Sequence, residues 1–239
     1  MNKLSNLLLT SIPRYRINIP SSGKSTTFRP FLVKEEKILL LAQESAIESD
    51  MMLAIQNIIE NCVDDISNVD DMPLFDIEYL FLQIRSKSVS ELIEPTIVCP
   101  ETGEQVSVLI EIPDIKITKP KNHNNKIKIK EDVIVTMKYP SISTLNKSNN
   151  SLDYTNPSSF YNIITECIIS IQTKEEIIDA TALPSAEISD FVDTMTTSQF
   201  EKLLDFFLTS PRIEHTVKYT TSDEVEREVV LYGLTDFFG

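Results

Sequence analysis

The feature that most constrains the fold is a change of hydrophobic period at Pro95. Before it, apolar residues recur at helical spacing. After it come the short β-type runs TIVC, QVSVLIEI, DIKI, KIKI and VIVTMKY, separated by PETG, Pro113 and KPKNHNN. Helical spacing returns at SFYNIITECIISIQ, residues 159–172. A chain that changes period twice reads as α+β: a helical core, hairpins at both ends, and a small β-rich insertion. The expected segments are 1–94 (hairpin and helices), 95–140 (β-rich module) and 141–239 (helices and a hairpin), forming one composite unit.

Within the first segment, RYRINI alternates polar and apolar residues, PSSGK supplies turn chemistry and TTFRPF resumes an extended pattern, which predicts a β-hairpin. Pro30 delays the next element, so VKEEKILLLAQESAIE predicts a helix over 33–48 with acidic residues in its first turn. Ser49 or Asp50 caps a second helix that turns Met51, Ile55, Ile58, Ile59 and Cys62 to one face. A third begins near Pro73, with Leu74, Ile77, Leu80, Phe81 and Ile84 inward. Residues 141–159, rich in Ser, Asn and Thr, read as a connector. Two further helices, over 183–195 and 196–210, follow, the second with capping-box spacing between Thr196 and Gln199. The tail IEHTVKYTTSDEVEREVVLYGLTDFF reads as two strands around a TSDE turn.

Charge limits the partners. The chain carries 22 basic against 36 acidic residues, net −14, which disfavours nucleic acid and anionic lipid. Residues 116–138 reverse the sign locally with seven lysines against Glu131 and Asp132. A solvated, edge-protecting loop is the plain reading of that stretch, and docking on an acidic partner is the alternative. Nucleic acid fits poorly, because the stretch has no arginine and only Tyr139 nearby to stack on a base. The leader MNKLSNLLLTSIPR is too short for a secretory signal, and no run reaches the ~18 apolar residues of a membrane span. Cys62, Cys99 and Cys167, odd in number and widely spaced, read as buried reduced thiols. A cytoplasmic setting is the expectation.

Familiar chemistry is hard to assemble. SSGKST resembles the end of a phosphate-binding loop, but Asn18 stands where its first glycine belongs, and Pro30 interrupts the helix it needs. Gly23 fits a hairpin turn instead. His123 sits in a polar KNHNN loop, where exposure is expected, and His215 on a strand surface; neither reads as a catalytic base. VCPETGEQV resembles half of a zinc knuckle with Thr102 in place of the second cysteine, a degenerate zinc-ribbon-like turn. No cofactor is therefore expected. The alternative to a binding protein is a metal-dependent hydrolase or nuclease built on clustered carboxylates.

Three segments in order, IPRYRINIPSSGKSTTFRPFLVKEEKILLLAQES, then VCPETGEQVSVLIEIPDIKI with NKIKIKEDVIVTMKYPS, and the terminal GLTDFF, resemble the baseplate hub family of T4-type contractile-tailed phages. That family includes hub subunits and hub assembly factors. Some members carry paired cysteines in the central β module, from which this chain departs at Thr102. The resemblance implies a non-enzymatic role in building the hub, with other hub proteins as partners, in the host cytoplasm during assembly and in the tail of the virion. The residues independently suggest contact positions. Arg14, Tyr15, Arg16, Arg29 and Phe31 bring arginine and aromatic side chains together around one hairpin, the composition of binding hot spots. Phe237 and Phe238 form an apolar tip that closes the core or enters a partner. Against this, Phe28 and Phe31 can simply anchor the hairpin, with the arginines in solvent or paired to Glu35 and Glu36.

Overall fold

A computed structural model of the chain describes residues 11–45, 47–147 and 157–238. In chain order its elements are β1 (Tyr15–Asn18), β2 (Ser25–Phe28), α1 (Val33–Ser45), α2 (Glu48–Cys62), α3 (Leu74–Ser88), β3 (Leu92–Ile93), β4 (Thr96–Val98), β5 (Gln105–Ser107), β6 (Ile110–Glu111), β7 (Lys116–Thr118), β8 (Lys126–Lys130), β9 (Val133–Met137), α4 (Ile142–Lys147), α5 (Pro157–Cys167), β10 (Ile168–Gln172), β11 (Ile177–Asp179), α6 (Ser185–Asp193), α7 (Thr197–Leu208), β12 (Arg212–Thr220), β13 (Glu226–Tyr232) and α8 (Gly233–Phe238). The fold is α+β. It divides into two compact units: residues 1–69, 75–118 and 212–239 form the first, residues 70–74 and 119–211 the second. The run of short strands after Pro95 is shared between them.

The first unit opens with the hairpin. β1 and β2 pair antiparallel from Tyr15↔Phe28 to Asn18↔Ser25. Gly23 closes the turn at φ +68°, a backbone conformation only glycine adopts without strain. The hairpin is fastened at both ends. Asp76, fully buried in α3, accepts the Ser21 amide (2.9 Å) and hydroxyl at the turn. At the open end, Arg29 N–H donates to Cys62 O (2.9 Å) and Asp64 N–H to Thr27 O (2.8 Å), which joins β2 to the exit of α2. Glu35 caps α1 reciprocally: its carboxylate accepts the Leu32 amide (2.8 Å), and its own amide donates to Leu32 O (2.9 Å).

Three small antiparallel sheets complete this unit: β3 with β6, β4 with β5, and the order β13-β12-β7. The turn between β4 and β5 is the cysteine-containing VCPETG segment. Main-chain hydrogen bonds close it, from Cys99 N–H to Glu104 O (2.8 Å) and from Gly103 N–H to Cys99 O (2.9 Å). Leu82 of α3 packs in one core with Ile97, Cys99, Ile110, Ile112, Ile213, Leu231 and Phe237. The tail departs from its expected two-strand form, because GLTDFF folds as α8. Gly233 at φ +59° breaks the strand, and a Cβ there would lie 2.9 Å from Glu78 Oε1.

Glu78 of α3 is itself enclosed here. Burial pushes its carboxyl up to about 7, although the Leu234 amide bonds to it. A carboxyl raised from the ordinary 4.5 stabilises the folded chain at low pH, and that contribution is lost as pH rises through about 7. Glu78→Gln keeps the acceptor and removes the titration. The variant should therefore be about 2 kcal/mol more stable than the parent at pH 8 and no more stable at pH 4.5, as read by urea denaturation at each pH.

The second unit is built on the antiparallel sheet β11-β10-β9-β8. Its core gathers Ile127, Ile129, Val135 and Met137 from the sheet with Ile163, Ile164, Leu203 and Phe206 from the helices. The helix expected over 159–172 ends at Cys167, and Ile168–Gln172 continues as β10. The reason lies in the side chains: Ile168, Ile169 and Ile171 are β-branched, and β9 and β11 offer partners on both sides. The connector also contains a helix, α4. Ser141 starts it by accepting the Thr144 amide on its hydroxyl (3.3 Å) and the Leu145 amide on its carbonyl (3.0 Å). Residues 148–156 of that connector, like most of the leader, lie outside the described residues, and its last three residues open α5. The capping box at the start of α7 is present, with Thr196 N–H donating to Gln199 Oε1 (2.9 Å).

Candidate functional site

The residues singled out around the hairpin are mostly engaged within the first unit. Arg14 is ion-paired to Asp64. The Tyr15 ring lies against Phe28 with centroids 5.5 Å apart, and the Lys87 ammonium stands 5.4 Å from its centre. Arg29 is largely buried, donating to Pro30 O (3.0 Å) and pairing with Glu35 Oε1 (2.9 Å). Phe31 is buried. Burial alone would raise the Glu35 carboxyl, but hydrogen bonds from Arg29, the Leu32 amide and Lys34 outweigh it and hold the group below its usual range. Arg16 is exposed, and Arg14 remains partly accessible.

At the other end, Phe237 is 1 % exposed in the core. Phe238 meets Phe81 edge-on at 6.3 Å, and the Arg85 guanidinium lies 4.4 Å over its ring. Both phenylalanines therefore serve the closure of this unit.

What remains open is an apolar surface on the helical pair that follows the hairpin. α1 buries a narrow stripe, Glu35 and Ala42. A residue advances ~100° around a helix, so Val33, Lys37, Leu40, Leu41 and Glu44 share the opposite face. That face is in solvent: Val33 is 79 % exposed, Leu40 55 % and Leu41 56 %. Ile47 and Leu53 add exposed aliphatic surface at and beyond the start of α2. Single exposed leucines need no explanation; here several lie along one helical pair. Sequence reading finds this helix and misses its outward face. The available signal is that apolar residues at 33 and 38–42 encircle the helix, so one buried stripe cannot hold them all.

Other polar groups are committed to structure. His123, expected in solvent, is part-buried, its ring centroid 5.5 Å from that of Tyr139 and 5.0 Å from that of Phe206. Its Nδ1 is 3.0 Å from Thr209 Oγ1 and its Nε2 is 2.9 Å from Tyr139 Oη. Burial, with help from Lys119, keeps its pKa below the ordinary value. The polar KNHNN surroundings disguise this, since the stacking partners lie on β9's exit and α7. All three cysteines are free and buried. Burial pushes the Cys62 thiol up to about 11 and that of Cys167 to about 12, while hydrogen bonding with Thr102 and then Tyr219 holds Cys99 down to about 7.

In the lysine-rich stretch, Lys126, Lys128 and Lys130 project to solvent from β8, the edge of the four-stranded sheet. Lys202 of α7 donates to the Lys128 and Ile129 carbonyls, each at 3.1 Å, and so covers part of that edge. The cleft beside it, about 510 Å³, mixes Lys126, Lys128 and Lys202 with Glu201 and Asp205. Among the described residues, no three or more His, Cys, Asp or Glu side chains are grouped to hold a metal ion.

Comparison with known proteins adds one finding. Residues 12–239 match the family model described as T4 bacteriophage base plate protein. No curated protein and no solved structure matches the chain.

Proposed function

The chain belongs to the T4 bacteriophage base plate protein family, and from that premise we propose that it is a non-enzymatic component or assembly factor of the baseplate hub of a contractile-tailed phage, acting through contacts with other hub proteins. The observation that carries the reading is the uncovered aliphatic face of α1, with Val33, Leu40 and Leu41 in solvent. Burying such side chains against a partner removes apolar area from water at roughly 25 cal/mol per Å². Among the hairpin positions, Arg14 and Arg16 remain accessible to a partner. Among the described residues no helix is long and apolar enough to cross a membrane. With a net charge of −14, protein surfaces are more plausible partners than nucleic acid.

On this reading the chain is assembled in the host cytoplasm and ends in the tail baseplate, which the family match supports. Affinity purification of the tagged chain from infected cells should recover other tail proteins; a chain that copurifies with none of them sinks the reading. Mass spectrometry of finished particles and of assembly intermediates then separates the two roles. A subunit is found in both, an assembly factor in the intermediates alone.

A further inference from the structure

We infer that the outer face of α1 pairs with the same face of a second copy of this chain, antiparallel, about a two-fold axis at Leu40 and Leu41. The inference rests on reading that face as a contact surface and names its occupant. Val33 and Leu40 are seven residues apart, two helical turns, so they line up along one side of α1 with Leu41 beside them. Lys37 and Glu44 lie on the same side, seven residues apart, one on each flank of the leucine pair. Both are exposed, and neither takes part in an ion pair among the described residues.

Charge selects both the partner and its direction. In an antiparallel pair centred between positions 40 and 41, position 37 of one copy faces position 44 of the other. Each Lys37 then meets a Glu44, twice over, while Leu40 packs on Leu41. A parallel pair would instead set Lys37 beside Lys37 and Glu44 beside Glu44, which like-charge repulsion disfavours. The same arrangement makes the surface self-complementary, as a two-fold contact requires. The chain as a whole carries −14 and its copies repel; α1 itself holds Lys34 and Lys37 against Glu35, Glu36 and Glu44, with Arg29 and Lys34 paired to Glu35. The two Lys37–Glu44 pairs act against that general repulsion at the contact itself.

Light scattering and sedimentation equilibrium of the full chain should show a reversible dimer. Lys37→Glu and Glu44→Lys should each weaken it by about tenfold, because each sets like charges opposite one another. The double variant K37E/E44K, with the pairs exchanged, should recover to within about threefold of the parent. Leu40→Asp with Leu41→Asp should give a monomer with unchanged circular dichroism, since both positions are exposed. A parent chain that is monomeric to about 100 µM overturns the inference, as does a double variant no better than the singles. If that monomer still loses its copurifying tail proteins when L40D/L41D is introduced, only self-pairing has failed. If L40D/L41D changes nothing in either measurement, the contact-surface reading has failed with it.

Discussion

Phe237→Ala is expected to lower the stability of the chain by about 3–5 kcal/mol, read as a fall in the urea midpoint at unchanged slope. Phe237 is 1 % exposed and packs in the core that Leu82, Ile213 and Leu231 also line. Those neighbours come from α3, β12 and β13, so the cavity is walled by three elements that cannot collapse together onto it. The loss is a large part of the 5–15 kcal/mol that holds a typical domain. Phe237→Leu retains most of the volume and should cost less than about 1.5 kcal/mol. Leu40→Ala, at an exposed position, should stay within about 0.5 kcal/mol. A small effect of Phe237→Ala would mean that α8 is loosely docked and that the terminal phenylalanines are free for a partner after all.

Glu35→Ala is the second large effect, at about 3 kcal/mol. The change strands the mostly buried Arg29 guanidinium and removes the acceptor of the Leu32 amide at the start of α1. Glu35→Gln keeps an acceptor for Leu32 and loses the charge, so it should lie between alanine and the parent. The pH dependence gives an independent check. The Glu35 carboxyl is held below its ordinary 4.5 in the folded chain, so its contribution is complete above that pH and disappears as pH falls through the lower folded value. The gap between parent and Glu35→Ala should therefore narrow in acid. Replacing both partners, Arg29→Met with Glu35→Leu, should recover most of the loss, because neither charge is then left uncompensated.

Local chemistry made much of this fold legible. Gly23 between two alternating runs marks the hairpin, Thr196 and Gln199 mark the entry of α7, and the apolar faces of α2 and α3 follow from spacing alone. The change at Cys167 was illegible because IISIQ fits a helix face by spacing, and its strand state depends on β9 and β11 being available beside it. The pairing of β7 with β12 joins Thr118 to Arg212, distant in sequence, and no local signal records it. Likewise, arginine and aromatic residues around the hairpin have the composition of a contact site, but composition does not distinguish Arg29 paired inside from Arg16 in solvent. The open face of α1 depends on what packs behind it. Only the excess of apolar positions around that helix hints that some must face outward.

The proposed contact through the outer face of α1 has its most direct test in the phage itself. Leu40→Asp with Leu41→Asp should leave the chain as stable as the parent in urea, yet keep it out of tail assemblies isolated from cells infected with phage carrying the variant gene. Incorporation and copurification equal to the parent's, in a chain folded equally well, would contradict it.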